Sequence, residues 1–181
     1  KANPRYIAAD LLSQAEHDTL ACSILLTPSQ DIAEKVAVEV DKQLAKLSRN
    51  EIAKKSIESY GRIVVTETME EAIDLANEIA PEHLELAVEN PFDYLNKIRN
   101  AGAIFLGEYS PEPLGDYFAG PNHTLPTSGT AKFASPLSVD AFIKKSSVIY
   151  YTREALSSVK DKIIRIAESE TLTAHANSIR V

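Results

Sequence analysis

Residues 62–79, RIVVTETMEEAIDLANEI, turn from a β-branched run into a helix within a few positions. Arg62 to Thr66 (RIVVT) reads as a short strand. Thr68 with Glu71 three residues on forms a capping box, which predicts a helix reaching about Ile79, and Pro81 stops it. Upstream, Cys22 to Thr27 (CSILLT) reads as a buried strand that holds the thiol as an inert core group. Downstream, Ala103 to Leu106 reads as a further strand. Between the strands lie helical patterns. Asn3-Pro4 starts a helix over 4–16 with Ile7, Ala8, Leu11, Leu12 and Ala15 on one face. Ile32, Val36, Val40, Leu44 and Leu47 mark a second helix, Asn50 to Tyr60 a third that Gly61 ends, and Phe92 to Ile98 a short fifth after the one that Thr68 caps. Strand and helix alternating through short connections is the signature of a parallel sheet covered by helices, so the class is α/β.

The pattern changes after Leu106. From Gly107 to Ser138 periodicity is weak and Gly, Pro, Ser, Thr and Asn are frequent, the mark of a long functional loop. A short helix over 139–145, a strand at Ser147 to Thr152 (SVIYYT), a helix over 154–168 and a final one over 172–178 follow. We divide the chain into an α/β part, 1–137, and a mostly helical tail, 138–181, which has no sheet of its own and suits docking on a neighbour or another subunit.

The chain has 181 residues, with 19 Lys and Arg against 26 Asp and Glu, a formal charge of −7. That balance leaves no electrostatic footprint for nucleic acid or for an anionic membrane surface. No apolar run approaches the ~18 residues of a membrane span, and no leader-like segment precedes the first helix. One Cys excludes an internal disulfide and a thiolate metal cage, which points to a reducing cytoplasm. The single methionine is Met69 and the chain opens on Lys1, so a piece of a longer protein is expected.

The six glycines form neither a dinucleotide nor a Walker fingerprint. The four histidines are more informative, since each sits in a polar cluster. Gln14 and His17, three apart on the first helix, can converge an amide oxygen and an imidazole on one point, although the same spacing suits a surface or helix-terminal role. Glu82 and His83 follow a helix end, where a carboxylate can orient water and an imidazole can take protons near neutral pH; a solvated helix terminus is the plainer reading. Asp116 and His123 lie in the long loop, which Pro121 and Pro126 could equally make a rigid connector. His175 follows Glu168 and Glu170 in the tail. Gln14, His17, Asp116 and His175 together would offer a divalent ion N and O ligands without thiolate, leaving Glu82 and His83 for proton transfer.

Four separated stretches, AADLLSQAEHD, ANEIAPEHLEL, LGDYFAGPNHTLPTSGTAKF and LTAHANSIRV, together resemble the histidinol dehydrogenase family over essentially the whole chain. The resemblance implies a zinc-dependent homodimer that oxidises L-histidinol through L-histidinal to L-histidine with NAD, the final steps of histidine biosynthesis. It implies a Rossmann-like parallel sheet flanked by helices, incomplete relative to the family, with a mostly helical tail that completes the partner subunit's site. Gln14, His17, Asp116 and His175 match its zinc ligands and substrate contacts. Glu82 and His83 match its acid/base pair and touch substrate, and His123 and Glu170 match further substrate contacts. The family's chains are more than twice as long. The part that would precede Lys1 supplies most of the NAD surface and a substrate-contacting serine, so the 181 residues alone are expected to be inactive. The alternative is a free-standing zinc- or imidazole-binding module without catalysis.

Overall fold

The structure is a computed structural model describing residues 2–180. It forms two compact units, the first ending at Phe142 and the second beginning at Ile143. In the first, helices α1 (Pro4–Ala15), α2 (Gln30–Leu44) and α3 (Asn50–Tyr60) pack on one another, and α2 lies against the strands β1 (Ile24–Thr27) and β2 (Arg62–Val65). Helix α4 (Met69–Ile79), strand β3 (His83–Leu86), helix α5 (Phe92–Leu95), strand β4 (Ala103–Leu106) and helix α6 (Glu112–Tyr117) complete it, with 3-10 turns at Thr130–Lys132 and Val139–Phe142. The second unit is the helical pair α7 (Arg153–Ser169) and α8 (Thr173–Arg180).

The strands are short and parallel, as the alternation of strand and helix requires, and they fall into two pairs. Ile24 aligns with Arg62 through Thr27 with Val65, and His83 aligns with Ala103 through Leu86 with Leu106. The fold is therefore mixed α/β, with parallel strands flanked by helices.

Helix α1 is fixed by a seam in which Ala8 and Leu12 meet Val36 and Val40 of α2, with Leu25 of β1 and Ile57 of α3 against them. Full burial of each Leu or Val side chain contributes roughly 1.5–3 kcal/mol, so the seam sets how α1 is rotated. Its other consequence is a stripe beside the buried face, where Asp10, Ser13 and Gln14 recur at helical spacing. Asn3 caps α1 by accepting the Arg5 N–H at 3.1 Å, with Pro4 at the first helical position.

The capping box of α4 forms with a one-residue offset. Thr68 Oγ1 accepts the Glu71 N–H at 3.1 Å, while Glu71 Oε2 accepts the N–H of Glu67, at 2.7 Å. At the other end Ala80 adopts a left-handed φ of 53° and is fully buried. This conformation costs an alanine about 1–2 kcal/mol, and it turns the chain sharply from α4 into Pro81, Glu82 and β3. Asn77 of α4 secures the approach to β4: its Oδ1 accepts the N–H groups of Arg99 and Asn100 and its Nδ2 donates to the Lys97 carbonyl.

Three expectations from the sequence are corrected. Ser147 to Thr152 is not a strand; Val148, Ile149 and Tyr150 are 92%, 84% and 83% exposed, and nothing among the described residues pairs with them. Strand propensity needs a partner edge, which composition does not supply. Cys22 is exposed and precedes β1, its thiol donating to the Tyr60 carbonyl at 3.4 Å, so it is not an inert core group. The long loop after Leu106 also holds a helix, α6.

Candidate functional site

Three elements of the first unit bring polar side chains together: the end of α1, strand β3 and helix α6. His83 and Glu85 alternate with Leu84 and so share one face of β3. Glu112 and Asp116 are four apart on α6 and share one face there. One donor atom each from His83, Glu112 and Asp116 lies within 4.8 Å of the others. His83 Nε2 is buried and has no hydrogen-bond partner among the described residues, and Glu112 Oε1 is 3.9 Å from it. The Phe105 ring of β4 sits 6.0 Å from the imidazole, centroid to centroid, and tilted by 45°.

Helix α6 is too short to stand by propensity alone. Its N-cap position, Pro111, offers no side-chain acceptor, and Glu85 of β3 takes that role by accepting the Glu112 N–H at 3.1 Å. From α1, Ser13 Oγ donates to Glu112 Oε2 at 3.4 Å. Gly115 faces Phe105 so closely that a Cβ there would meet the ring at 2.7 Å, so any side chain at 115 would force the ring to move. A similar fit lies beside Glu82 and His83: a Cβ on Gly102 would lie 2.5 Å from the Glu82 carbonyl oxygen, which accepts the Ala103 N–H at 2.8 Å.

Crowded carboxyls dominate the electrostatics. Burial, then the hydrogen bond and charge of Asp10, push Glu85 up to about 8. Burial raises Asp10 as well, against the lowering effect of its hydrogen bond to Glu85. Glu112 is raised by burial and by the hydrogen bond and charge of Asp116, while the His17 charge and Ser13 pull it back. Two carboxyls and an imidazole converging in partial burial favour a shared proton or a bound cation.

Glu85 carries a stability prediction. Its folded pKa lies above the ordinary 4.5, so its contribution is complete below about 4.5 and is lost as pH rises to about 8, because the unfolded chain releases the proton first. Urea unfolding of the chain between pH 5 and 9 should show stability falling across that window. Glu85→Gln should flatten the fall, and an equally steep slope in the variant would remove Glu85 as its source.

The other expected site residues are distributed as follows. Gln14 is half-buried in the last turn of α1, and His17 sits one turn on, beyond the helix end, with its N–H donating to the Gln14 carbonyl at 3.3 Å. His17 thus keeps the three-residue spacing without being in the helix, and its charge reaches Glu112. Asp116 is in the donor cluster and Glu82 immediately precedes it in the chain at His83. His123 is exposed in the loop beyond α6, outside the three-donor cluster. Glu170 caps the C-terminal end of α7 and His175 is exposed on α8, both in the second unit. Glu112 was not anticipated. Its signal was Pro111-Glu112-Pro113 followed by Asp116, a helix start with two acids at helical spacing.

A sequence profile of the family described as histidinol dehydrogenase matches residues 1–181. The chain is 63% identical over 180 residues to the histidinol dehydrogenase of Caldanaerobacter subterraneus subsp. tengcongensis, covering 99% of this chain and 42% of that protein. It is 62% identical over 181 residues to that of Halalkalibacterium halodurans, covering 100% and 43%. Among solved structures it is similar to the crystal structure of histidinol dehydrogenase from Elizabethkingia anophelis, with a TM-score of 0.87, 42% identity, and coverage of 99% of this chain and 41% of that one. The chain spans about 42% of the length of such relatives.

Proposed function

The chain belongs to the histidinol dehydrogenase family, and from that premise we propose that it is the zinc- and proton-handling part of an enzyme oxidising L-histidinol through L-histidinal to L-histidine with NAD. The observation that carries this reading is the meeting of His83, Glu112 and Asp116, with the end of α1 close enough for His17 to influence Glu112.

His83 takes the alcohol proton. Imidazole suits that role because its charge changes near neutral pH. Glu82, preceding it, activates the water that hydrates the aldehyde before the second oxidation. His123 and Glu170 contact the substrate. NAD would supply the hydride acceptor for each oxidation, held mainly by residues outside these 181.

The implied ligands fit zinc in kind: Gln14, His17, Asp116 and His175 offer nitrogen and oxygen without thiolate, and Asp116 lies in the cluster of converging donors whose Glu112 feels the His17 charge. Gln14, His17, Asp116 and His175 would hold the ion and contact the substrate. Zinc supplies a Lewis-acidic anchor for the substrate's imidazole and amine. The protein is a cytoplasmic homodimer in which the tail, with Glu170 and His175, completes the partner's site. No helix among the described residues is long and apolar enough to cross a membrane.

The test is NADH formation from histidinol. A full-length protein containing these residues should turn over, and the 181-residue chain alone should not. Tight histidinol binding and chelator-sensitive melting with no NADH from either would favour a zinc- or imidazole-binding module instead.

A further inference from the structure

We propose that Glu112 is a positioning residue that fixes the tautomer of His83, holding its proton on Nε2 so that Nδ1 is the basic nitrogen. This inference rests on the reading of His83 as the proton acceptor.

Glu112 is 7% exposed, an unusual place for a carboxylate without a task. Three contacts settle its position. Its backbone N–H is bound by Glu85, its Oε2 by the Ser13 hydroxyl, and its Oε1 faces His83 Nε2 at 3.9 Å. These anchors come from β3 and α1, so the carboxylate is placed from both sides rather than by α6 alone.

His83 is constrained to match. Phe105 lies against its ring, and the Nε2 atom is buried with no other partner among the described residues. A buried imidazole N–H without an acceptor is costly, and the carboxylate that faces Nε2, at 3.9 Å, is Glu112. A neutral imidazole carries one proton, and its position follows the hydrogen bond made by that nitrogen. Nε2–H directed at Glu112 leaves the Nδ1 lone pair free. When Nδ1 takes a proton, the neighbouring carboxylate stabilises the imidazolium. The separation is that of an ion pair, and about 1 Å of closure makes it a hydrogen bond; such contacts commonly tighten when substrate binds. Asp116, on the same helix face, shares the donor cluster with His83 and Glu112 and completes the charged surroundings of His83; the ligand set that the family resemblance implies contains Asp116 and not Glu112.

The experiment uses a full-length protein containing this segment, labelled with 15N-histidine, and assigns the His83 signals by difference against His83→Asn. The Nε2–H tautomer is expected in the wild type; the Nδ1–H tautomer would overturn the proposal whatever any variant does. Glu112→Gln keeps the side-chain length and can still accept from Ser13. It should lower kcat about 10–100-fold, the usual cost of losing an orienting partner, with KM for histidinol and zinc content nearly unchanged. Zinc lost together with kcat would make Glu112 a metal ligand and overturn the proposal, as would a kcat within about twofold of wild type. If the wild-type protein forms no NADH, the enzymatic reading fails, while the tautomer measurement still decides the role of Glu112.

Discussion

Replacing His83 by Asn in a full-length protein is expected to lower histidinol-dependent NADH formation by about 10²–10⁴-fold, the range typical of losing a positioned general base. Asparagine fits the half-buried site and is polar, but its amide cannot take a proton near neutral pH. The local framework should survive the change. Backbone pairing of β3 with β4 continues through His83 and Ala103, and Gly102 stays packed on the Glu82 carbonyl. The loss should therefore appear in kcat, with zinc content retained. Turnover near that of wild type would remove His83 as the proton acceptor and leave the family assignment standing, since the family rests on the sequence match and not on this residue.

How far the site could be read in advance depended on whether its parts are local. The strand at 62–65 and the helix at 69–79 were legible because a β-branched run, a Thr cap and Glu71 act within one turn of each other. The spacing of Gln14, His17, Glu82 and His83 was legible for the same reason. Helix α6 was not. Gly115 and Pro113 argue against a helix, and what holds its start is Glu85, 27 residues earlier, on another element. Glu112 was hidden with it, so a side chain that faces His83 looked like loop composition. The SVIYYT segment failed in the opposite direction. Its residues favour a strand, but a strand exists only beside another, and the described residues provide none. Cys22 fell outside β1 because parallel pairing begins at Ile24 opposite Arg62. Pairing, capping from a distance and burial of charge are all tertiary facts, and this is where the sequence pattern runs out.

Asp116→Ala should remove zinc from the full-length protein. Asp116 is the one residue shared by the donor cluster in the first unit and the four-ligand set that the family resemblance implies. Without it, the remaining set of Gln14, His17 and His175 lacks a carboxylate, and the amide of Gln14 is a weak ligand for a borderline cation. Losing only an outer partner of a metal ligand typically costs about 10–100-fold in affinity, so loss of the ligand itself should cost at least about 100-fold. Wild-type protein purified without chelator should then carry about one zinc per active site, and the variant less than about a tenth of that. Thermal melting gives an independent check through linkage, because an ion that binds the folded state raises its stability. Chelator should lower the Tm of the wild type and leave Asp116→Ala almost unmoved. Asp31→Ala, which removes an exposed acid paired with Lys35 on α2, should behave as wild type in both assays and exclude a general effect of lost charge. Asp116 also raises Glu112 by hydrogen bonding and repulsion, so its removal should let the Glu112 carboxyl fall toward its ordinary range. A variant that keeps stoichiometric zinc would take Asp116 out of the ligand set and confine it to this electrostatic role beside Glu112.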